Sequence, residues 1–265
     1  MYTFIVMKKP TNLHLLTKEF KKQARGFDFD RFNYNRESFL NKVLKYLNPN
    51  KTDTLLEVAA GTGACGRFFS KHVHHVLCLD ATLPMLEEAL RLNTLKKIKN
   101  ISLIRGFAQD LPFLSNSIDC ALTRLSLHHF DDVDACFKDI ARVIKKGGKF
   151  ALIDMEAAPE SKRKLNDHLE TLRDPSHVKS LSDQEMINLF KKNNFEILHH
   201  SITKMPLVIQ DWLDLTKTPA KIQKQLLDIF NKDIKGNNKS GFELFMKNNK
   251  LHFNQRWVLI VGKKK

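Results

Sequence analysis

Thr54-Leu55-Leu56-Glu57-Val58-Ala59-Ala60-Gly61-Thr62-Gly63 is the stretch from which the fold can be read. A strand-like run breaks into a turn of small residues, and Cys65, Phe68 and Phe69 beyond it carry helical spacing. A strand that turns through glycines into a helix offers its backbone N–H groups to a closely approaching ligand, at the positive end of the helix dipole. No Lys-Ser/Thr pair follows Gly63, which excludes a P-loop, and Gly61, Gly63 and Gly66 only approach the GxGxxG pattern of dinucleotide folds. Two carboxylates narrow the ligand. Glu57 stands inside the strand end, placed to accept from or pair with an ammonium group. Asp80 closes the next strand 23 residues later, where a carboxylate accepts the two hydroxyls of a ribose. The expected ligand therefore has a ribose and a charged amino-acid tail, not a pyrophosphate.

Outward from this turn, strand and helix patterns alternate. Phe39, Leu40, Val43, Leu44 and Leu47 form an amphipathic helix ending before Pro49. Strands are expected at His75–Leu79, Ile101–Arg105, Ile118–Leu125 and Phe150–Asp154, with helices over about 83–93 and after Asp131-Asp132, candidate N-caps. That alternation implies right-handed βαβ units and a mostly parallel α/β sheet. Residues 155–180 read as polar and irregular. A helix around Met186–Phe190 and a strand at Phe195–His199 follow, then about fifty residues before a last strand at Trp257–Val261. An insertion of that length in a compact fold is usually functional.

With 265 residues and 42% hydrophobic content, including 19 Phe, the chain can bury a sizeable core; a disordered chain or a minimal disulfide-stapled fold is excluded. No apolar run reaches the roughly 18–20 residues of a membrane span, and Met1–Val6 is too short for a signal core, so a soluble cytoplasmic protein is expected. Cys65, Cys78, Cys120 and Cys136 have no metal-ligand spacing and read as reduced, buried small hydrophobes. His72, His74 and His75 straddle a helix end and a strand start without the spacing of a tetrahedral site, so no metal is expected. The net charge of +15 sits at the ends: +6 over residues 1–50, +1 over 51–200 and +8 over 201–265. The basic residues are 33 Lys against 11 Arg and lack an aromatic-interleaved stretch, a pattern that favours solvated surface over nucleic-acid readout.

The ordered set of motifs resembles the class I S-adenosylmethionine-dependent methyltransferases, in the branch of the ubiquinone/menaquinone C-methyltransferases. Glu57–Gly63 resembles their first motif, Asp80 with Met85 their ribose-binding strand end, and Gly106-Phe107-Ala108-Gln109-Asp110 the loop that packs on adenine. Arg124, His128-His129-Phe130 and Ala141–Gly148 fit the same branch, as does Leu172-Arg173-Asp174-Pro175-Ser176-His177-Val178. The resemblance implies a Rossmann-like sheet of seven strands, mostly parallel with an antiparallel last strand, and a helical lid. Residues 1–50 would form an N-terminal helical cap, 51–200 the cofactor-binding core, 201–256 a lid insertion, and 257–265 the last strand and a basic tail. It implies S-adenosylmethionine as cofactor, S-adenosylhomocysteine as product, and Glu57, Ala59, Gly61, Gly63, Asp80, Ala81, Met85, Ala108, Gln109 and Arg124 as the residues holding it.

Two positions depart from the family pattern. Ala59 stands where many relatives have Gly, and Phe107 where they usually have an Asp toward the adenine amine, so that contact falls to backbone at Ala108, falls to a polar neighbour such as Gln109, or is absent. The candidates for chemistry are His128, His129 and Arg124, near the carboxyl edge of the sheet where open α/β folds bind ligands. Each also has a structural reading: a loop-holding histidine, or an internal salt bridge. Asp154, Arg173, His177 and Trp212 are further candidates for the acceptor side. The expected partner is a small or lipophilic, quinone-like acceptor. The alternatives are an RNA or protein methyltransferase using the basic ends, or a non-catalytic cofactor-binding protein, the latter motivated by Phe107.

Overall fold

The computed structural model describes residues 10–25, 36–237 and 239–265. Part of the expected N-terminal cap, and the Met1–Val6 reading, lie outside them. The elements in chain order are α1 (Leu13–Gln23), α2 (Arg36–Leu47), β1 (Thr54–Val58), α3 (Ala64–Phe69), β2 (His75–Asp80), α4 (Leu83–Leu95), β3 (Ile101–Arg105) and β4 (Ile118–Arg124). They continue with a 3₁₀ turn (Leu127–His129), α5 (Val133–Val143), β5 (Ile144–Met155), α6 (Glu160–Arg173), α7 (Asp183–Lys192), β6 (Phe195–Val208), α8 (Ile209–Leu215), α9 (Ala220–Lys232), a π turn (Asp233–Asn237), β7 (Glu243–Lys247) and β8 (Lys250–Lys264).

The strand order is β3-β2-β1-β4-β5-β8-β6, with β7 pairing only on β8. The first five strands are parallel, while β8 runs antiparallel to both β5 and β6. This is the mainly parallel sheet expected, with an eighth strand added as a hairpin at the lid. Alternation along each strand sends side chains to opposite faces. Leu56, Val58, Phe150, Leu152, Val258 and Ile260 join Phe137 and Phe190 of α5 and α7 on one face. Leu55, Ala151, Ile153, Leu259 and Val261 join Phe39, Val43 and Leu47 of α2 on the other. A third cluster lies in the lid, where Trp212, Leu213, Leu226, Phe230, Phe242 and Phe253 pack with Leu169 of α6.

The Asp132 carboxylate caps α5 by accepting from Ala135 N–H at 2.9 Å, and Ser182 with Glu185 forms a reciprocal capping box on α7. Four elements differ from the sequence reading. Residues 155–180 contain α6, a fourteen-residue helix whose buried face is Leu169, Glu170 and Arg173, two of them charged, so it lacks an apolar stripe to read. β6 continues to Val208 and β8 begins at Lys250, so the segment between these strands spans 209–249 rather than 201–256. The extra length comes from cross-strand pairing, Ile202 on Val258 through Val208 on His252, which local pattern does not display. β5 likewise starts at Ile144, before Gly147, whose φ of +79° a glycine accommodates.

Candidate active site

The carboxyl ends of β1, β2, β4 and β5 converge on a cavity of about 240 Å³. Its floor is the turn after β1. Ala59, Gly61 and Gly63 all have positive φ, which folds the chain tightly enough to aim Gly61 N–H at Asp80 Oδ2, 2.7 Å away. Asp80 Oδ1 accepts from Thr82 N–H at 2.8 Å and from the Thr82 hydroxyl at 2.7 Å. A carboxylate offers about four lone-pair directions, so three are filled and one is left for the cavity. Burial raises the Asp80 pKa against the pull of these donors.

Glu57 lies beneath the same turn. Its Oε2 accepts from Gly66 N–H at 2.7 Å and meets Cys78 Sγ at 3.4 Å. Burial pushes its carboxyl up to about 7, opposed by Gly66, Cys78, Cys65 and the Arg67 charge. Gly66 is required here, because a Cβ would stand 2.5 Å from Cys78 Sγ and 2.9 Å from Glu57 Oε2.

The opposite wall is built after β4. Leu125 takes positive φ, turning the chain so that Ser126 and Leu127 N–H donate to Asp154 Oδ2 at 2.9 and 2.7 Å. Asp154 Oδ1 accepts from Met155 N–H at 2.8 Å and faces His128 Nδ1 at 2.7 Å. A carboxylate so surrounded by donors stays ionised, which makes His128 Nδ1 the donor and leaves Nε2 as the acceptor of the neutral ring. Burial lowers the His128 pKa, but Asp154 outweighs it, and the net shift is upward. His129 donates from Nδ1 to the Ser176 carbonyl at 3.0 Å, and burial beside His128 lowers its pKa.

The rest of the wall is apolar and aromatic. Leu16 and Phe20 of α1, Met205 and Leu207 of β6, Trp212 and Leu215 of α8, and Trp257 of β8 line it. Two guanidiniums lie over its tryptophans: Arg124 is 5.1 Å from the Trp257 ring centroid and Arg173 is 4.4 Å from that of Trp212. Beyond Met155 and Gln255, which border both spaces, a wider cleft of about 1100 Å³ opens between α6, the π turn and the β7–β8 hairpin.

Residues 56–152 match a family model described as a methyltransferase domain. The uncharacterized methyltransferase YcgJ of Bacillus subtilis is 35% identical over 196 residues, which cover 72% of this chain and 76% of that protein. The chain belongs to the methyltransferase family. The crystal structure of YcgJ superposes with a TM-score of 0.79 at 28% identity, covering 87% of this chain and 99% of that one. A demethylmenaquinone methyltransferase from Corynebacterium kroppenstedtii is 32% identical over 110 residues, 42% of this chain and 45% of its own length. A crystal structure of a Bacillus halodurans protein titled a putative methyltransferase shares the fold, with a TM-score of 0.78 at 22% identity, covering 86% of this chain and 99% of that one.

In this methyltransferase, Glu57, Ala59, Gly61, Asp80, Ala81, Met85, Arg124, His128 and His129 all line the cavity. Gly63, Ala108 and Gln109 stand outside its lining. Gly63 shapes the turn as the left-handed residue before α3, and the Phe107 side chain is itself buried. Asp154 lies behind His128 rather than in the cavity wall, and His177 points to Asp167 at 2.9 Å. The four cysteines are free and buried, and His75 pairs with Ser102 at 2.9 Å. Among the described residues no group of three His, Cys, Asp or Glu could hold a metal ion, and no helix is long and apolar enough to cross a membrane. Leu16, Phe20, Gln23, Ser126, Met205, Leu207 and Gln255 line the cavity without having been singled out in the sequence. Leu13, Leu16 and Phe20 did carry a helical spacing that could have marked α1 as a wall.

Proposed function

We propose that this methyltransferase uses S-adenosylmethionine to methylate a small, lipophilic acceptor, with His128 as the group that takes the acceptor's proton. The chain fits the cofactor at both ends. Asp80 keeps one open lone-pair direction for a ribose hydroxyl, and the buried Glu57 carboxyl answers a cationic amino-acid tail beside the glycine turn. When bound, the cofactor supplies an electrophilic methyl group on a sulfonium. The protein's part is then to orient the acceptor, exclude water and hold a proton. The apolar wall of Phe20, Met205, Leu215 and Trp257 orients and dries the acceptor. Arg124, which lines the cavity over Trp257, would stabilise negative charge on the acceptor.

The single observation that carries the reading is the His128–Asp154 pair, 2.7 Å apart and buried, with the second ring nitrogen left to the cavity. Such a pair places a base with a raised pKa at the acceptor end. Methyl transfer from labelled cofactor to a panel of small apolar acceptors tests it. The rate should rise with pH along one limb whose midpoint lies above 6.5, the ordinary histidine value. His128→Asn should bind cofactor normally, lose roughly a hundredfold or more in kcat, and lose that limb. Turnover only on RNA or protein, or an unchanged pH profile in His128→Asn, would contradict the proposal.

A further inference from the structure

Arg173 ends α6 and lines the cavity while being 8% exposed. Its guanidinium lies over Trp212, with Nε donating to Glu170 Oε2 at 3.2 Å and Nη1 to the Trp212 carbonyl at 3.4 Å. A guanidinium has five N–H donors in a planar fork, and these two bonds leave three, including both on Nη2, without a protein acceptor. Nη2 is not occluded. The neighbouring Asp174 does not satisfy it. That carboxylate accepts from Ser176 N–H at 3.0 Å, from the Ser176 hydroxyl at 2.5 Å and from Gln23 at 3.4 Å. Buried donors are nearly always matched, and an unmatched fork on a cavity wall matches a planar oxyanion. The same cavity is lined by Leu16, Phe20, Leu207 and Leu215, which suit a hydrocarbon body, with the Asp174 carboxylate already held by its own donors.

We propose that the acceptor is an apolar acid, its carboxylate taken by the open edge of Arg173 against Trp212 and its body by the apolar wall. This rests on the methyltransferase reading and names the acceptor class for the same site. Both tryptophans of the chain line the cavity, so quenching of intrinsic fluorescence reports its occupancy.

The experiment titrates cinnamate, methyl cinnamate and cinnamylamine into the protein saturated with S-adenosylhomocysteine. Cinnamate should bind roughly tenfold or more tighter than its ester, and the amine weakest. Removing Arg173 alone would strand the buried Glu170, so the test variant is Arg173→Gln with Glu170→Gln. It should reduce the acid's advantage to within about twofold and leave S-adenosylhomocysteine affinity unchanged, while Arg173→Lys retains part of the preference. Equal binding of acid and ester, absence of cinnamate binding, or an advantage that survives the double substitution would overturn the proposal. Loss of S-adenosylhomocysteine binding in the double variant would also overturn it, by assigning Arg173 to the cofactor. If the double variant does not fold, the acid-to-ester ratio of the wild type decides. Failure of the wild type to bind S-adenosylhomocysteine is a separate result, which removes the underlying methyltransferase reading.

Discussion

Glu57 shows how one buried side chain ties stability to function. Burial pushes its carboxyl up to about 7 in the folded state, from an ordinary 4.5, because burial outweighs the donors around it. The folded state therefore holds a proton that the unfolded chain releases first, and stability falls as pH rises from 4.5 to 7. A displacement of that size corresponds to about 3 kcal/mol across the window. Glu57→Gln should flatten this part of the stability profile and be the more stable form above pH 7, as measured by urea unfolding at several pH values. His128 and Asp154 show the converse, a pair whose separate candidacies were visible in the sequence but whose union was not. They lie 26 residues apart, and only the adjacent ends of β4 and β5 bring them to 2.7 Å.

Among the elements, the turn from β1 to α3 was legible because its constraints are contiguous. Small residues at 59–61 and glycines at 61, 63 and 66 serve backbone geometry that neighbours in sequence impose on one another. Gly66→Ala should force a methyl against Cys78 Sγ and Glu57 Oε2, cost about 1–3 kcal/mol and weaken cofactor binding, which thermal unfolding and calorimetry would measure. Ala59 holds φ of +54° where an L residue is strained. The elements that were not legible depend on distant partners. α6 buries Glu170 and Arg173, whose burial makes sense only once Trp212 and the cavity stand beside them. The overshoot of β6 and β8 exists because the two strands pair with each other across the intervening residues 209–249.

At the scale of the whole molecule, several lysines gather at one end of the sheet. Lys149 of β5 donates to the Leu47 carbonyl at the end of α2, and its cross-strand partner in β8 is Lys263. Lys264 donates to the Ile144 carbonyl at the start of β5. These contacts lie at the amino-terminal end of β5, whereas the cavity lies at the carboxyl ends of the parallel strands. The charge of these lysines is thus held away from the reacting centre, and a polyanion drawn to them would not be presented to His128. Charge reversal at the exposed Lys146, Lys263 and Lys265 should reduce retention on a polyanion column, an effect that salt screens, and leave cofactor affinity within about twofold.

Asp80 is the most specific residue of the cofactor cavity, since its remaining lone-pair direction is the one assigned to the ribose. Calorimetric titration of S-adenosylhomocysteine into the wild type and Asp80→Ala tests this most directly. The wild type should bind with micromolar affinity, and a folded Asp80→Ala variant at least tenfold more weakly, the loss expected for a charge-assisted hydrogen bond. Equal binding by the two proteins, or no binding by well-folded wild type, would contradict it.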